Sequence, residues 1–145
     1  MVFDCKYPVM TVAKKGYLYF ARTEEELTSC TYTGWKNGHF NDLKIVDSNG
    51  NRYTVKEAKP SGQSNVLQKL KMLVGAKFRV ELIGDPAATQ LSLVEFKEFA
   101  LKQLKKNRSF FDAGGTYQET IEYVNNAQSI EGIISHLTSG FYKTY

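Results

Sequence analysis

A β-hairpin is the strongest local signal in this sequence. Residues 43–46 and 53–56 are β-favouring runs that flank the polar segment 47–52, which contains Asn49-Gly50. Asparagine and glycine tolerate the positive φ that tight hairpin turns require. The two runs are therefore predicted to pair as the antiparallel strands of a β-hairpin, and this pair is the strongest constraint that the sequence places on the fold.

Further strands are predicted mainly in the first half of the chain. Residues 2–13 and 17–21 are rich in β-branched and aromatic types, and they form a second predicted hairpin around the turn at 14–16. Residues 77–83 alternate charged and apolar side chains, as a half-buried strand does. Residues 31–41 contain two glycines and are predicted to be a loop or a short strand.

Helices are predicted mainly in the second half. Capping signals and the helical spacing of apolar residues predict them at 23–29, 64–75, 92–104, 116–126 and 129–137. Three of these begin with a capping-box pattern, at Thr23, Ser92 and Thr116, each followed three residues later by glutamate.

This order of elements predicts an α+β fold: a mainly antiparallel β-sheet, with strands concentrated in the N-terminal half and helices packed on one face. The chain has 145 residues, which predicts a single domain over 1–145. A chain of this length can bury a core of its own.

Few residues suggest catalysis. Cys5 and Cys30 show no metal-binding spacing and are interpreted as buried thiols, although a dyad of either thiol with His39 stays an alternative. No familiar nucleophile, metalloprotease or phosphate-loop motif occurs in the sequence. We therefore expect no enzyme activity, catalytic residues, cofactor or metal. The first ten residues do not resemble a signal peptide and no long apolar run follows, so the expected location is the cytoplasm.

The charge distribution leaves two kinds of partner open. The net charge of +4 comes from residues 1–72, with eleven Lys and Arg against seven acids, whereas residues 73–145 carry eight of each. The aromatic and basic residues of segment 31–41 are typical of binding hot spots, which makes Trp35, Lys36, His39 and Phe40 the predicted partner contacts. Core packing is the competing interpretation for Trp35 and Phe40. Because bases stack on aromatic side chains beside cations, a small basic nucleic-acid-binding protein is the alternative function.

Four segments resemble the small bacterial immunity proteins of polymorphic-toxin and contact-dependent growth inhibition systems. They are residues 40–59, 78–82, 91–97 and 129–134. The resemblance implies a non-enzymatic protein that binds the C-terminal toxin domain of a cognate toxin and usually covers the active site or substrate entry of that domain. Many immunity proteins against nucleases are acidic, whereas this chain is basic. The implied toxin therefore presents an acidic or neutral contact surface.

Overall fold

The fold is α+β, as predicted. The computed structural model describes residues 3–61, 70, 73–113 and 116–144, with only the backbone described for 112, 113 and 141–144. The strands are β1 (Val9–Val12), β2 (Leu18–Ala21), β3 (Ser29–Cys30), β4 (Lys44–Val46), β5 (Asn51–Pro60), β6 (Phe78–Gly84) and β7 (Thr89–Gln90). The helices are α1 (Glu24–Thr28), α2 (Tyr32–Lys36), α3 (Leu93–Lys106), α4 (Arg108–Ala113), α5 (Tyr117–Asn126) and α6 (Ile130–Thr144).

The strands form one curled antiparallel sheet. Their order is β2-β1-β4-β5-β6-β3, and β7 pairs with β5. The two predicted hairpins are both present, with Met10 opposite Phe20 in β1–β2 and Ile45 opposite Tyr53 in β4–β5. β4 also pairs with β1, and this long-range pairing joins the two hairpins into a continuous surface.

Each face of the sheet covers its own hydrophobic cluster, because successive strand residues point to opposite sides. Met10, Val12 and Phe20 face α3 to α6 and pack with residues such as Phe96 and Ile133. Val9 and Ala21, which are next to Met10 and Phe20 in sequence, belong to the second cluster, which also includes Ile45, Val55 and Phe78. That residues 1–145 form a single domain stays a prediction.

The turn of the β4–β5 hairpin is stabilised by the Asp47 carboxylate. Its Oδ1 accepts hydrogen bonds from the backbone N–H groups of Asn49 and Asn51, at 3.0 and 2.9 Å. Gly50 adopts φ +84°, and a Cβ at this position would lie 2.7 Å from the carbonyl oxygen of Leu91. The positive φ and the close approach of the Leu91 carbonyl both favour glycine at position 50, which explains why glycine follows Asn49 in this turn.

The three predicted capping boxes differ in the structure. Ser92 and Glu95 form the complete box, with both reciprocal hydrogen bonds. Thr23 accepts from the backbone N–H of Glu26, but the Glu26 carboxylate binds the backbone N–H and guanidinium of Arg22. The prediction at Thr116 is wrong: this residue makes no capping bond, because its ψ of 0° is helical and not extended.

Segment 31–41 also differs from the prediction of a loop or strand. Residues 32–36 form α2, and the Thr31 hydroxyl accepts from the N–H of Gly34 at 3.2 Å. The predicted helix at 64–75 falls largely outside the described residues. Within the described part of the chain, no helix is both long and apolar enough to cross a bilayer.

Candidate partner-binding surface

Trp35 connects α2 to the sheet. Its indole Nε1–H donates to the carbonyl oxygen of Ala58 in β5 at 2.7 Å. Its ring meets Phe78 edge to face, with centroids 6.1 Å apart, and lies 5.9 Å from the Tyr32 ring. The side chain is half-buried, so its ring supports the local fold and presents only part of its area to a partner.

The other predicted contact residues are placed at different depths. Lys36 is exposed and its Nζ lies 5.6 Å from the centroid of the Tyr32 ring. His39 is half-buried between Tyr19 and Phe40, with ring centroids 5.0 and 4.9 Å away. Phe40 is 2% exposed and belongs to the second core cluster, with Val9 and Ile45. Segment 31–41 therefore offers Lys36 and part of Trp35 and His39 at the surface, while Phe40 is buried in the core.

A second candidate binding surface, which the sequence did not predict, is a groove. It lies between α3 and the β1, β4 and β5 strands, and its volume is about 710 Å³. Cations from four separate segments line it: Lys14, Lys15, Lys44, Arg52, Lys102 and Lys106. We call it the basic groove. Among the described residues, Asp42 is the one carboxylate in its lining, and it pairs with Lys14 at 3.4 Å.

The periodicity of α3 explains one wall of the basic groove. Phe99, Lys102, Gln103 and Lys106 follow the i, i+3, i+4, i+7 spacing, so they share one side of the helix. This spacing is the sequence signal that could have identified the wall. The spacing within α3 does not show that Lys14 and Lys15, in the β1–β2 turn, lie opposite this wall, because their placement depends on tertiary packing.

The electrostatics of the basic groove favour an anionic partner. The five cations other than Lys14 form no ion pair within 4.0 Å in the residues that the structure describes. Like charges gathered along a concave surface raise the local potential and attract anions from a distance. Of the two candidate surfaces, the basic groove therefore has the larger concentration of positive charge.

The thiols do not have the properties of nucleophiles. Burial, with the Asp47 charge as a secondary cause, raises the pKa of Cys5 to about 12. Burial alone raises the pKa of Cys30 to about 11. Cys30 and His39 line the same cavity, yet a thiol must lose its proton to act as a nucleophile, and these pKa values oppose that loss at neutral pH. The described residues include no group of three His, Cys, Asp or Glu side chains placed to hold a metal ion.

Comparison with known proteins identifies no relative. No protein-family model, no curated protein and no solved structure matches the chain.

Proposed function

We propose that this protein is a non-enzymatic binding protein that neutralises a cognate bacterial toxin domain by covering its active site or substrate entry. The observation that carries the proposal is the basic groove, with six cations against one carboxylate among the described residues of its lining. A basic contact surface complements an acidic toxin surface, which is the charge relationship implied by the resemblance to immunity proteins.

Electrostatic complementarity acts mainly on the rate of encounter and on partner choice. Lys102 and Lys106 project from one wall of the basic groove, and Lys14 and Lys15 from the turn opposite. A toxin surface rich in carboxylates would be steered toward this site. The exposed parts of Trp35, Lys36 and His39 would add aromatic and cationic contact area for the partner.

The proposal predicts that the gene upstream of this one encodes a large secreted protein, and the experiment uses the C-terminal domain of that upstream product. We expect co-expression to protect cells from that domain, and the purified proteins to form a 1:1 complex. Reversing two groove charges together, Lys102→Glu with Lys106→Glu, should weaken the complex about tenfold or more, chiefly through slower association. Lys105→Glu is the matched control, because Lys105 is exposed on the same helix but does not line the groove.

The alternative is a small nucleic-acid-binding protein, and the basic groove is also the observation that favours it. Affinity for oligonucleotides that falls by about a thousandfold between 50 and 200 mM salt is typical of many phosphate contacts. Such binding, together with no 1:1 complex with any neighbouring gene product, would replace the immunity proposal by this alternative.

A further inference from the structure

An aromatic pocket lies beside the basic groove, between β2 and the corner where α3 meets α4, and its volume is about 230 Å³. Five of its described lining residues are aromatic: Tyr17, Tyr19, Phe20, Phe110 and Phe111. Phe20 and Phe111 are buried members of the hydrophobic core. Tyr17 and Tyr19 are 59% and 38% exposed. The lining of this aromatic pocket therefore combines core residues with tyrosines that solvent or a partner can reach.

The two exposed tyrosines are held in place by strand pairing. The carbonyl oxygen of Tyr17 accepts from the N–H of Ala13 at 2.9 Å, and Tyr19 is opposite Thr11 in the β1–β2 register. Because their backbones are already ordered, a ligand has only side-chain rotamers to fix here. Tyrosine offers a large ring with two side-chain torsions, so it provides contact area at a low entropic cost and is frequent in binding hot spots.

Lys106 connects the aromatic pocket with the basic groove, because it lines both cavities. Its Cδ lies 3.8 Å from the position that a Cβ would occupy at Gly16, so the lysine side chain runs along the β1–β2 turn. Lys106 forms no ion pair within 4.0 Å in the described part of the chain. A group that enters the aromatic pocket is therefore close to a positive charge.

The lining determines which kind of group the aromatic pocket accepts. Aromatic rings attract other rings edge to face, and they also attract cations. A cation is disfavoured here, because Lys106 has the same charge and the described lining contains no carboxylate to compensate. A cavity of about 150 Å³ is enough for a benzene ring. The aromatic pocket is larger than this, so it can hold a single phenyl, phenol or indole ring.

We propose that the aromatic pocket receives one aromatic side chain of the toxin domain, and that acidic residues beside this side chain pair with Lys106 and the basic groove. The proposal rests on the proposed function and names the anchoring contact of the same partner. It assigns different tasks to the two cavities. The charges of the groove speed association, whereas the inserted ring slows dissociation.

A nucleic-acid strand fits this arrangement less well. Proteins that bind single strands stack successive bases on aromatic residues distributed along a cationic groove. In the described lining of the basic groove the aromatic residue is Phe99, which is half-buried, whereas the exposed Tyr17 and Tyr19 are gathered at the neighbouring cavity. This distribution favours a single inserted ring over a row of stacked bases.

The first test compares two fluorescein-labelled peptides, Glu-Glu-Trp-Glu-Glu and Glu-Glu-Ala-Glu-Glu, by fluorescence anisotropy. Both peptides carry the same charge, so a difference in affinity reports the contribution of the ring. We expect the tryptophan peptide to bind about tenfold more tightly. Equal affinities would overturn the proposal, and so would tighter binding of a hexathymidylate oligonucleotide than of the tryptophan peptide at equal ionic strength.

A variant that fills the aromatic pocket tests where the ring binds. Ser109 is exposed on α4 and lines the pocket, so Ser109→Trp introduces a competing indole and removes no charge. Gln118→Trp is the matched control, because Gln118 is exposed on α5 and does not line the pocket. We expect Ser109→Trp to abolish the preference for the tryptophan peptide and Gln118→Trp to keep it, with unchanged circular dichroism in both variants. A retained preference in folded Ser109→Trp would contradict the proposal.

Removing a ring from the lining provides a second variant. Tyr17→Ala should weaken binding of the tryptophan peptide about fivefold and of the alanine peptide about twofold or less. Val94→Ala truncates an apolar side chain that is 67% exposed on α3 outside the pocket, and it should change neither affinity by more than about twofold. Equal effects of Tyr17→Ala on the two peptides would show that this ring does not contact the ligand.

The two proposals fail in different ways. In the toxin complex, Ser109→Trp should raise the dissociation rate about tenfold and leave the association rate within about twofold. If this variant changes neither rate, the pocket proposal is wrong and the proposed function stands. If the unaltered protein prefers the tryptophan peptide but no neighbouring gene product binds, the aromatic pocket stands as a binding site and the toxin partner is wrong.

Discussion

Asn107 and Gly16 are joined by a side-chain hydrogen bond across 91 residues of sequence, from Asn107 Nδ2 to the Gly16 carbonyl oxygen at 2.9 Å. Asn107 directly follows the last residue of α3, and Gly16 lies in the turn between β1 and β2. The bond thus holds the α3 wall of the basic groove against the turn that carries Lys14 and Lys15. Gly16 adopts φ +94°, a conformation that glycine reaches without steric cost.

Replacing Asn107 should loosen this connection. We expect Asn107→Ala to lower the free energy of unfolding by about 1–2 kcal/mol, because it removes the bonds to the carbonyls of Gly16 and Gln103. Urea unfolding followed by circular dichroism measures the loss. Asn126→Ala is the control at the exposed end of α5, where we expect a change of about 0.5 kcal/mol or less. Equal losses in the two variants would contradict the structural role of Asn107.

The caps of α3 and α5 provide a matched comparison. Ser92 accepts a hydrogen bond from the N–H of Glu95 at 3.2 Å, whereas Thr116 makes no such bond. We expect Ser92→Ala to cost about 1 kcal/mol of stability and Thr116→Ala about half of that or less. Thermal or urea unfolding of the two variants measures the difference. A larger loss at Thr116 would show that the sequence pattern, and not the backbone conformation, indicates which residue caps.

The parts of the fold that the sequence predicts well are encoded within about ten residues. Asn49-Gly50 is sufficient to predict the β4–β5 hairpin, since the turn requires positive φ at Gly50. The complete box at Ser92 likewise depends on two residues of the same helical turn. Thr116 shows the limit of such patterns, because its backbone is helical, with ψ 0°, and its side chain makes no capping bond although the sequence pattern is present.

The candidate site depends on contacts that local patterns do not contain. Lys102 and Lys106 lie on the solvent-facing side of α3, as their spacing predicts, but the turn with Lys14 and Lys15 reaches them only through packing of the sheet against the helix. When charges are counted along the sequence, the excess of Lys and Arg over Asp and Glu is therefore spread over several segments and shows no cluster. Phe40 shows that the role of an aromatic residue also depends on tertiary packing. In a glycine-containing segment such a residue can be either a partner contact or a core residue until its burial is known.

Trp35 should prove important for stability through its hydrogen bond. Trp35→Phe keeps an aromatic ring beside Phe78 but leaves the carbonyl of Ala58 without its donor at 2.7 Å. We expect a loss of about 1–3 kcal/mol in the free energy of unfolding, as measured by circular dichroism in urea. Lys36→Ala, one residue away and exposed, should change stability by about 0.5 kcal/mol or less. An unaltered stability in Trp35→Phe would mean that this bond contributes nothing to the fold.

The two thiols should react slowly with thiol reagents in the folded protein. The pKa of Cys5 is raised to about 12 and that of Cys30 to about 11, so at pH 8 very few molecules carry a thiolate. We expect the reaction with a disulfide reagent to be about a hundredfold slower in the native protein than in urea. The single-cysteine variants Cys5→Ser and Cys30→Ser separate the two sites. Rapid labelling of either native thiol at pH 8 would contradict the burial of that thiol.

His39 should make the protein less stable in mild acid. Burial between Tyr19 and Phe40 lowers the pKa of His39 below its usual value of 6.5. As the pH falls through 6.5, the unfolded chain therefore binds a proton at this position before the folded chain does, and folding becomes less favourable. Above that pH both states are neutral and the effect vanishes.

We expect His39→Phe, which keeps an aromatic ring between Tyr19 and Phe40, to lose less stability between about pH 7 and pH 5 than the unaltered protein. Urea unfolding at several pH values measures this slope, and the resonances of the His39 ring in a proton NMR titration give its pKa directly. Identical slopes in the two proteins, or a His39 pKa above 6.5, would show that burial does not control the protonation of this histidine.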